Sequence, residues 1–286
     1  MEFGGIPIHE DTKLFPSRQT VLEYLNAYAE DVRPHIKFST QVKDVKLQRN
    51  HNRDRWAITT TDLTLSTMSE QQTEYDAVVI AKGHCNCTYI PAVEGIEAFN
   101  IAYPGAISHS KYYRSEGVYK GLKVLVVGGG PSGVDIAKQI SEAPGSSVIW
   151  SVRKNPFIED ENTLPPINKF IVENRAVCFE NGRVERDIVA VVFCTGYLYS
   201  YPFLESLKES IVTNGRRVRG LYQHLFHTLH PTLVFPGLPY RIFPLSILEP
   251  QAAVIARVWS NRLKLPSKTG MDNGRAICCA LRALTD

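Results

Sequence analysis

The chain lacks most of what marks an extreme class of protein. It has 32 Lys and Arg against 29 Asp and Glu, a net charge of only +3, and no dense basic patch. A nucleic acid would find no concentrated cations to hold its phosphates, so no nucleic-acid partner is expected. No apolar run approaches the ~20 residues of a membrane span. The first residues show no charged-then-apolar signal pattern. The six cysteines, Cys85, Cys87, Cys178, Cys194, Cys278 and Cys279, include no C-x-x-C pair. Without paired spacing neither a metal centre nor a disulfide framework is expected, and reduced thiols in a cytoplasmic protein are the default reading. His224, His227 and His230 recur every third residue and run into Pro231. That spacing does not turn three ligands to one face, so no metal site is expected there either.

What the chain does have is centred on residues 121–137. Val124 to Val127 form an apolar run that reads as a buried parallel strand. It ends in G-x-G-x-x-G, with Gly128, Gly130 and Gly133 in place, and Val134, Ala137 and Ile140 then recur at helical spacing. In a dinucleotide-binding turn each glycine has a physical task. Gly128 turns the chain out of the strand. Gly130 leaves the backbone bare for a pyrophosphate. Gly133 lets the helix press on the strand. The helix start, with Ser132 in it, favours phosphate charge. Asp135 follows, either ordering the loop around the nicotinamide ribose or standing as an ordinary surface acid.

The next strand, Val148-Ile149-Trp150, indicates which dinucleotide. NAD-binding folds place an acid at its end for the ribose 2′-OH. Here Ser151-Val152-Arg153-Lys154 follows, with no acid before Glu159. A hydroxyl and two cations at Ser151, Arg153 and Lys154 suit a 2′-phosphate, so the expected cofactor is NADP(H).

The remaining pattern is mixed α/β. A helix over Arg18 to Val32, capped by Ser17, would turn Val21, Leu25, Tyr28 and Val32 to one side. Val42 to Leu47, Trp56 to Thr60 and the alternation around Leu63 and Leu65 read as an antiparallel meander. Pro156 to Lys169 reads as loop, and Asn181-Gly182 marks a hairpin between Val177-Cys178-Phe179 and Val184. Two more buried strands, from Tyr75 to Ala81 and from Asp187 to Cys194, leave through Gly83 and Gly196. A last helix runs from about Ser246 to Leu263, and residues 269–286 show no clear grammar.

Four places then carry a likeness. They are Leu14-Phe15-Pro16-Ser17-Arg18 with Val21 to Leu25, then Tyr103-Pro104-Gly105 through His109 to Tyr113, then Gly128 to Asp135, and Phe193-Cys194-Thr195-Gly196-Tyr197. The second is similar to F-x-G-x-x-x-H-x-x-x-[YF] with Tyr103 for Phe, and the fourth to F-A-T-G-Y with Cys194 for Ala. With the helix entered through Phe243-Pro244-Leu245, the chain resembles the flavin-containing monooxygenases, especially the shorter fungal type. The resemblance implies an α/β flavoprotein with two dinucleotide-binding domains. Residues 1–115 and 198–286 would be parts of a split FAD domain, and residues 116–197 an inserted Rossmann-like NADPH domain. Gly83 and Gly196 would be the backbone crossings between them, at the cofactors. Gln251, beside Glu249 at the start of the last helix, would face the flavin or only cap the helix. His109 would be a connector rather than a chemical group.

The implied reaction uses NADPH, FAD and O2 to oxygenate a soft nitrogen or sulfur of a small molecule through a hydroperoxyflavin, with no catalytic side chain of its own. One departure stands out. Nothing before Gly128 matches the family's first strand–G-x-G-x-x-G–helix for FAD. The expectation is therefore an incomplete FAD domain, prone to self-association. The alternatives are a non-catalytic NADP-binding remnant or subunit, and a simple NADPH-dependent reductase.

Overall fold

Two hydrophobic periods in the sequence, alternating and continuous, become two kinds of sheet. The computed structural model describes residues 16–50, 53–65, 69–153, 163–205, 207, 211–212, 214–239 and 244–274. The chain divides into two compact units, Met1–His84 with Tyr199–Asp286, and Cys85–Leu198.

In the first unit the strands Thr40–Asn50, Arg53–Asp62 and Glu70–Tyr75 form an antiparallel sheet in chain order. The meander is present, but its third strand is the polar run from Glu70 and not the one around Leu63 and Leu65. The Asp62 carboxylate accepts from the N–H and hydroxyl of Thr64 at 2.8 and 2.6 Å, which closes a turn and ends the strand there. The expected strand from Tyr75 to Ala81 is likewise divided. Tyr75 closes the antiparallel sheet, and Val78–Val79 pairs parallel with Leu233–Val234 in a separate four-stranded sheet. Val45, Trp56, Val78, Ile80, Leu233 and Phe235 pack together as the core of this unit.

Two helices of the first unit differ from expectation, the first also ending at Tyr28 rather than Val32. Arg18–Tyr28 begins where expected, with Ser17 accepting from the Thr20 N–H. Yet Val21, Leu25, Tyr28 and Val32 are all exposed, because periodicity defines a face without supplying its partner. The helix expected to reach Leu263, Pro244–Trp259, stops short of it, and a further helix covers residues 268–274, within the stretch that showed no clear grammar. Asn261 takes a left-handed φ of 59°, a conformation that ends helices.

The second unit contains the continuous apolar strands. Its sheet runs Ile107–His109, Ala190–Phe193, Lys123–Val127, Ser147–Ser151, Thr163–Leu164, with every pair parallel. The helix Pro131–Glu142 covers one face, packing Ile136, Ala137 and Ile140 on Val124, Val126 and Val192. On the other face Leu125, Ile149 and Phe193 meet Phe99, Phe170 and Phe179. These come from the helix Ile96–Ala102 and an antiparallel sheet of Ile167–Ile171, Ala176–Phe179 and Val184–Glu185. Burial on both faces is why these parallel strands are unbroken in hydrophobicity. The unit takes in residues 85–115 because Ile107–His109 is an edge strand of its sheet. Of residues 156–169, read as loop, 163–164 and 167–169 belong to strands, the latter held by the Ala176–Phe179 backbone, and 156–162 lie outside the described residues.

Candidate functional site

The strand Lys123–Val127 delivers the chain to Gly128 with φ 127°, a region side-chain-bearing residues avoid. Both polar groups of Gly128 are held from the next strand. Its N–H donates to the Ser151 carbonyl at 2.8 Å, and its carbonyl accepts from the Trp150 indole at 2.9 Å. An added Cβ at Gly128 would collide with the Cys194 carbonyl, and one at Gly133 with the carbonyl of Gly128. These two glycines are therefore required by the protein's own packing. Gly130 is different. Its φ of −81° and ψ of 176° suit any residue, and among the described residues a Cβ there would meet no atom within 4 Å. The described residues around it place no demand for glycine at this position.

Gly130 is also the N-cap of Pro131–Glu142, with Pro131 at its first turn. No side chain caps this terminus, and the first turn holds no acid. Exposed Ser132 lies in that turn and exposed Asp135 one turn on. The helix start is thus a positive dipole end with no acid in its own first turn. At the neighbouring strand end, Arg153 is exposed. Ser151 is turned inward, 1% exposed, its hydroxyl donating to the Pro165 carbonyl at 2.9 Å. Lys154 lies outside the described residues.

The family model for flavin-binding monooxygenase-like proteins matches residues 1–162 and 164–276. The chain belongs to this family. It is 30% identical to the thiol-specific monooxygenase of Saccharomyces cerevisiae, over 96% of this chain and 65% of that protein. It is 29% identical to the senecionine N-oxygenase of Tyria jacobaeae, over 95% of this chain and 59% of that protein. The solved structure of the S-allyl-L-cysteine S-oxygenase of Allium sativum superposes with a TM-score of 0.80 at 25% identity, over 100% of this chain and 66% of the other. The chain thus spans 47–65% of the length of curated relatives.

Within this flavin-binding monooxygenase-like chain, the segment from Tyr103 to Tyr113 is a structural tie. The Tyr103 hydroxyl donates to the Val172 carbonyl at 2.7 Å, and the Arg175 guanidinium sits 4.1 Å over its ring. The hydroxyl that distinguishes Tyr103 from Phe therefore has a partner. His109 is 1% exposed. Its Nδ1 accepts from the Lys111 N–H at 3.1 Å, so Nε2 carries the proton and donates to the Gly196 carbonyl at 3.0 Å. Gly196, φ 82°, is fixed by that bond and by the Tyr89 N–H donating to the same carbonyl, and has open space at its Cβ position.

Burial pushes the His109 imidazole below its ordinary pKa, with Lys111 adding to this and the Gly196 carbonyl opposing it. Because the folded value is the lower one, the unfolded chain takes up protons first. His109 should therefore cost stability as pH falls below about 6.5 and cost nothing above it. In urea unfolding at pH 7.5 and 5.5, His109→Gln should narrow the difference between the two midpoints. An unchanged difference would contradict the neutral, doubly bonded imidazole.

In the other unit, Gly83 has φ 69° and open space around its Cβ position. Gln251 is 8% exposed, and its side-chain oxygen accepts from the Gly237 N–H at 2.8 Å. That oxygen fixes a backbone turn. His227 and His230 stack at 5.2 Å, and His230 Nδ1 lies 2.9 Å from Asp54 Oδ2. Among the described residues no group of three His, Cys, Asp or Glu is placed to hold a metal. Among them too, no helix is long and apolar enough to cross a membrane. The motif reading did not single out Trp150 or Cys194 for the loop. An indole one residue before Ser151 was the available signal for the first, but its reach to Gly128 is a tertiary fact.

Proposed function

We propose that the unit Cys85–Leu198 binds NADP(H) on its glycine loop, and that the protein is an NADPH- and FAD-dependent monooxygenase acting on soft nitrogen or sulfur in small molecules. The single observation that carries this is Gly130. It has no conformational or packing need for glycine, so its missing side chain makes room for something outside the protein. A pyrophosphate there would meet the side-chain-free backbone at Gly130 and the positive end of the helix.

Ser132 extends the donor set at the helix start, and Asp135, a turn on, is placed to order the nicotinamide side. Arg153, exposed at the end of its strand, offers paired N–H donors to a 2′-phosphate, and Lys154 would add charge. Ser151 contributes through its backbone carbonyl, which anchors Gly128, rather than through its buried hydroxyl. Gly83 and Gly196 each combine a positive φ with open space at the Cβ position, and each would let a cofactor approach the backbone of its own unit. Gln251 would shape the flavin side indirectly, by holding Gly237. When bound, NADPH supplies hydride, and FAD with O2 supplies the oxygen atom. The chain's own part is to bind, orient and exclude water. A soft nitrogen or sulfur substrate is supported by relatives named for thiol oxidation, N-oxygenation and S-oxygenation. Unbridged Cys85, Cys87, Cys178 and Cys194 accord with a cytoplasmic setting.

The reading is tested at Arg153. Arg153→Ala should remove roughly 1–3 kcal/mol of the preference for NADP+ over NAD+, with NAD+ affinity little changed. Equal losses for both nucleotides, measured by titration calorimetry, would sink the 2′-phosphate assignment.

A further inference from the structure

The glycine loop hangs from a side chain that no motif specifies. Trp150 lies on Ser147–Ser151, in register with Val126 of the neighbouring strand. Its ring packs on the sheet face that carries Pro131–Glu142, among Val124, Val126, Ile136 and Ile140. From there the indole N–H reaches the Gly128 carbonyl at 2.9 Å. Ser151, the next residue, accepts the Gly128 N–H at 2.8 Å. Two consecutive residues thus hold both polar groups of the first glycine, one by side chain and one by backbone. On its other side the same carbonyl abuts Gly133, where a Cβ would collide with it.

This matters because residues 128–130 are three glycines in a row. Such a run has the largest backbone freedom a chain can have, and no side chain of its own to orient it. A peptide group is planar and trans, so fixing the Gly128 carbonyl also fixes the Gly129 N–H in the opposite direction. An indole suits the task. It is rigid, has two side-chain torsions, and is a donor only, so its role cannot reverse.

We infer that Trp150 is a positioning residue of the pyrophosphate site: its indole N–H, acting through the Gly128–Gly129 peptide, sets the loop's amides before the nucleotide arrives. The inference rests on reading the loop as an NADP(H) site. It differs from that reading in assigning part of the affinity to preorganisation by a residue the loop motif does not name.

The test compares the unaltered chain with Trp150→Phe, which keeps an aromatic ring and deletes the donor. Each is titrated with NADP+ and with adenosine 2′-monophosphate, which carries the 2′-phosphate but no pyrophosphate. The NADP+ dissociation constant should rise about tenfold, equivalent to ~1.4 kcal/mol, while that of adenosine 2′-monophosphate changes by less than about twofold. Equal weakening of both would mean general loosening of the unit and would overturn the inference, as would unchanged NADP+ affinity. If Trp150→Phe lowers the melting temperature, 3-benzothienylalanine at position 150 repeats the comparison with the indole's shape kept and its N–H replaced by sulfur. The same selective loss is expected, and affinity equal to that of the unaltered chain would overturn the inference. Failure of the unaltered chain to bind NADP+ would remove the function reading and this inference together. Binding by the unaltered chain without a selective loss in the variants would remove this inference alone.

Discussion

Gly130→Val is expected to raise the NADP+ dissociation constant by about 100-fold or more, close to 3 kcal/mol, and to leave the fold intact. The two halves of that expectation have separate causes. A valine at φ −81° and ψ 176° occupies ordinary extended backbone, and among the described residues its Cβ would meet no atom within 4 Å. The cost to the protein is then mainly a poorer helix cap, roughly 0.5–1 kcal/mol. Any phosphate drawn to the helix start has to approach through the space those methyl groups fill. Circular dichroism should match the unaltered chain and the melting temperature should fall by no more than a few degrees, while titration calorimetry shows no saturable heat at nucleotide concentrations that saturate the unaltered chain. Retained binding would mean that residues 128–133 are only a turn.

Gly133→Ala should behave in the opposite sense. Its Cβ points at the Gly128 carbonyl, which is backbone and cannot swing aside as a side chain tip would. Either the helix lifts from the sheet or the strand exit moves. Overpacking of this kind costs about 1–3 kcal/mol, and the melting temperature should fall by several degrees. The packing of Ile136, Ala137 and Ile140 on the sheet is the part that loosens. Nucleotide affinity should fall too, as a consequence of the displaced loop. A melting temperature equal to that of the unaltered chain would show that this close approach is not a real constraint. One glycine serves the ligand and the other serves the fold, and paired measurements of stability and affinity separate them.

The parts of this molecule that were legible in the sequence are those that local covalent pattern dictates. An apolar run, three spaced glycines and a helical repeat suffice for Lys123–Val127 and Pro131–Glu142, because each property acts within a few residues. Asn181-Gly182 announced its hairpin for the same reason, and Gly182 has φ 82°. What escaped depends on partners distant in the chain. Glu70–Tyr75 is polar and became a strand because Trp56–Thr61 offered it a hydrogen-bonding edge. Ser151 looked like a phosphate ligand by position, but its hydroxyl turned inward to Pro165. Gln251 could be placed near a helix start, but its bond to Gly237 could not. The face of Arg18–Tyr28 was read correctly as apolar, yet its residues are exposed.

The measurement that bears most directly on the central claim is a calorimetric titration of the unaltered 286-residue chain, first with NADP+ and then with NAD+. The account predicts a single saturable site for NADP+, at least about tenfold tighter than for NAD+, since a paired Arg contact to a 2′-phosphate contributes more than a kcal/mol. A folded chain that takes up neither nucleotide, or that prefers NAD+, would contradict it.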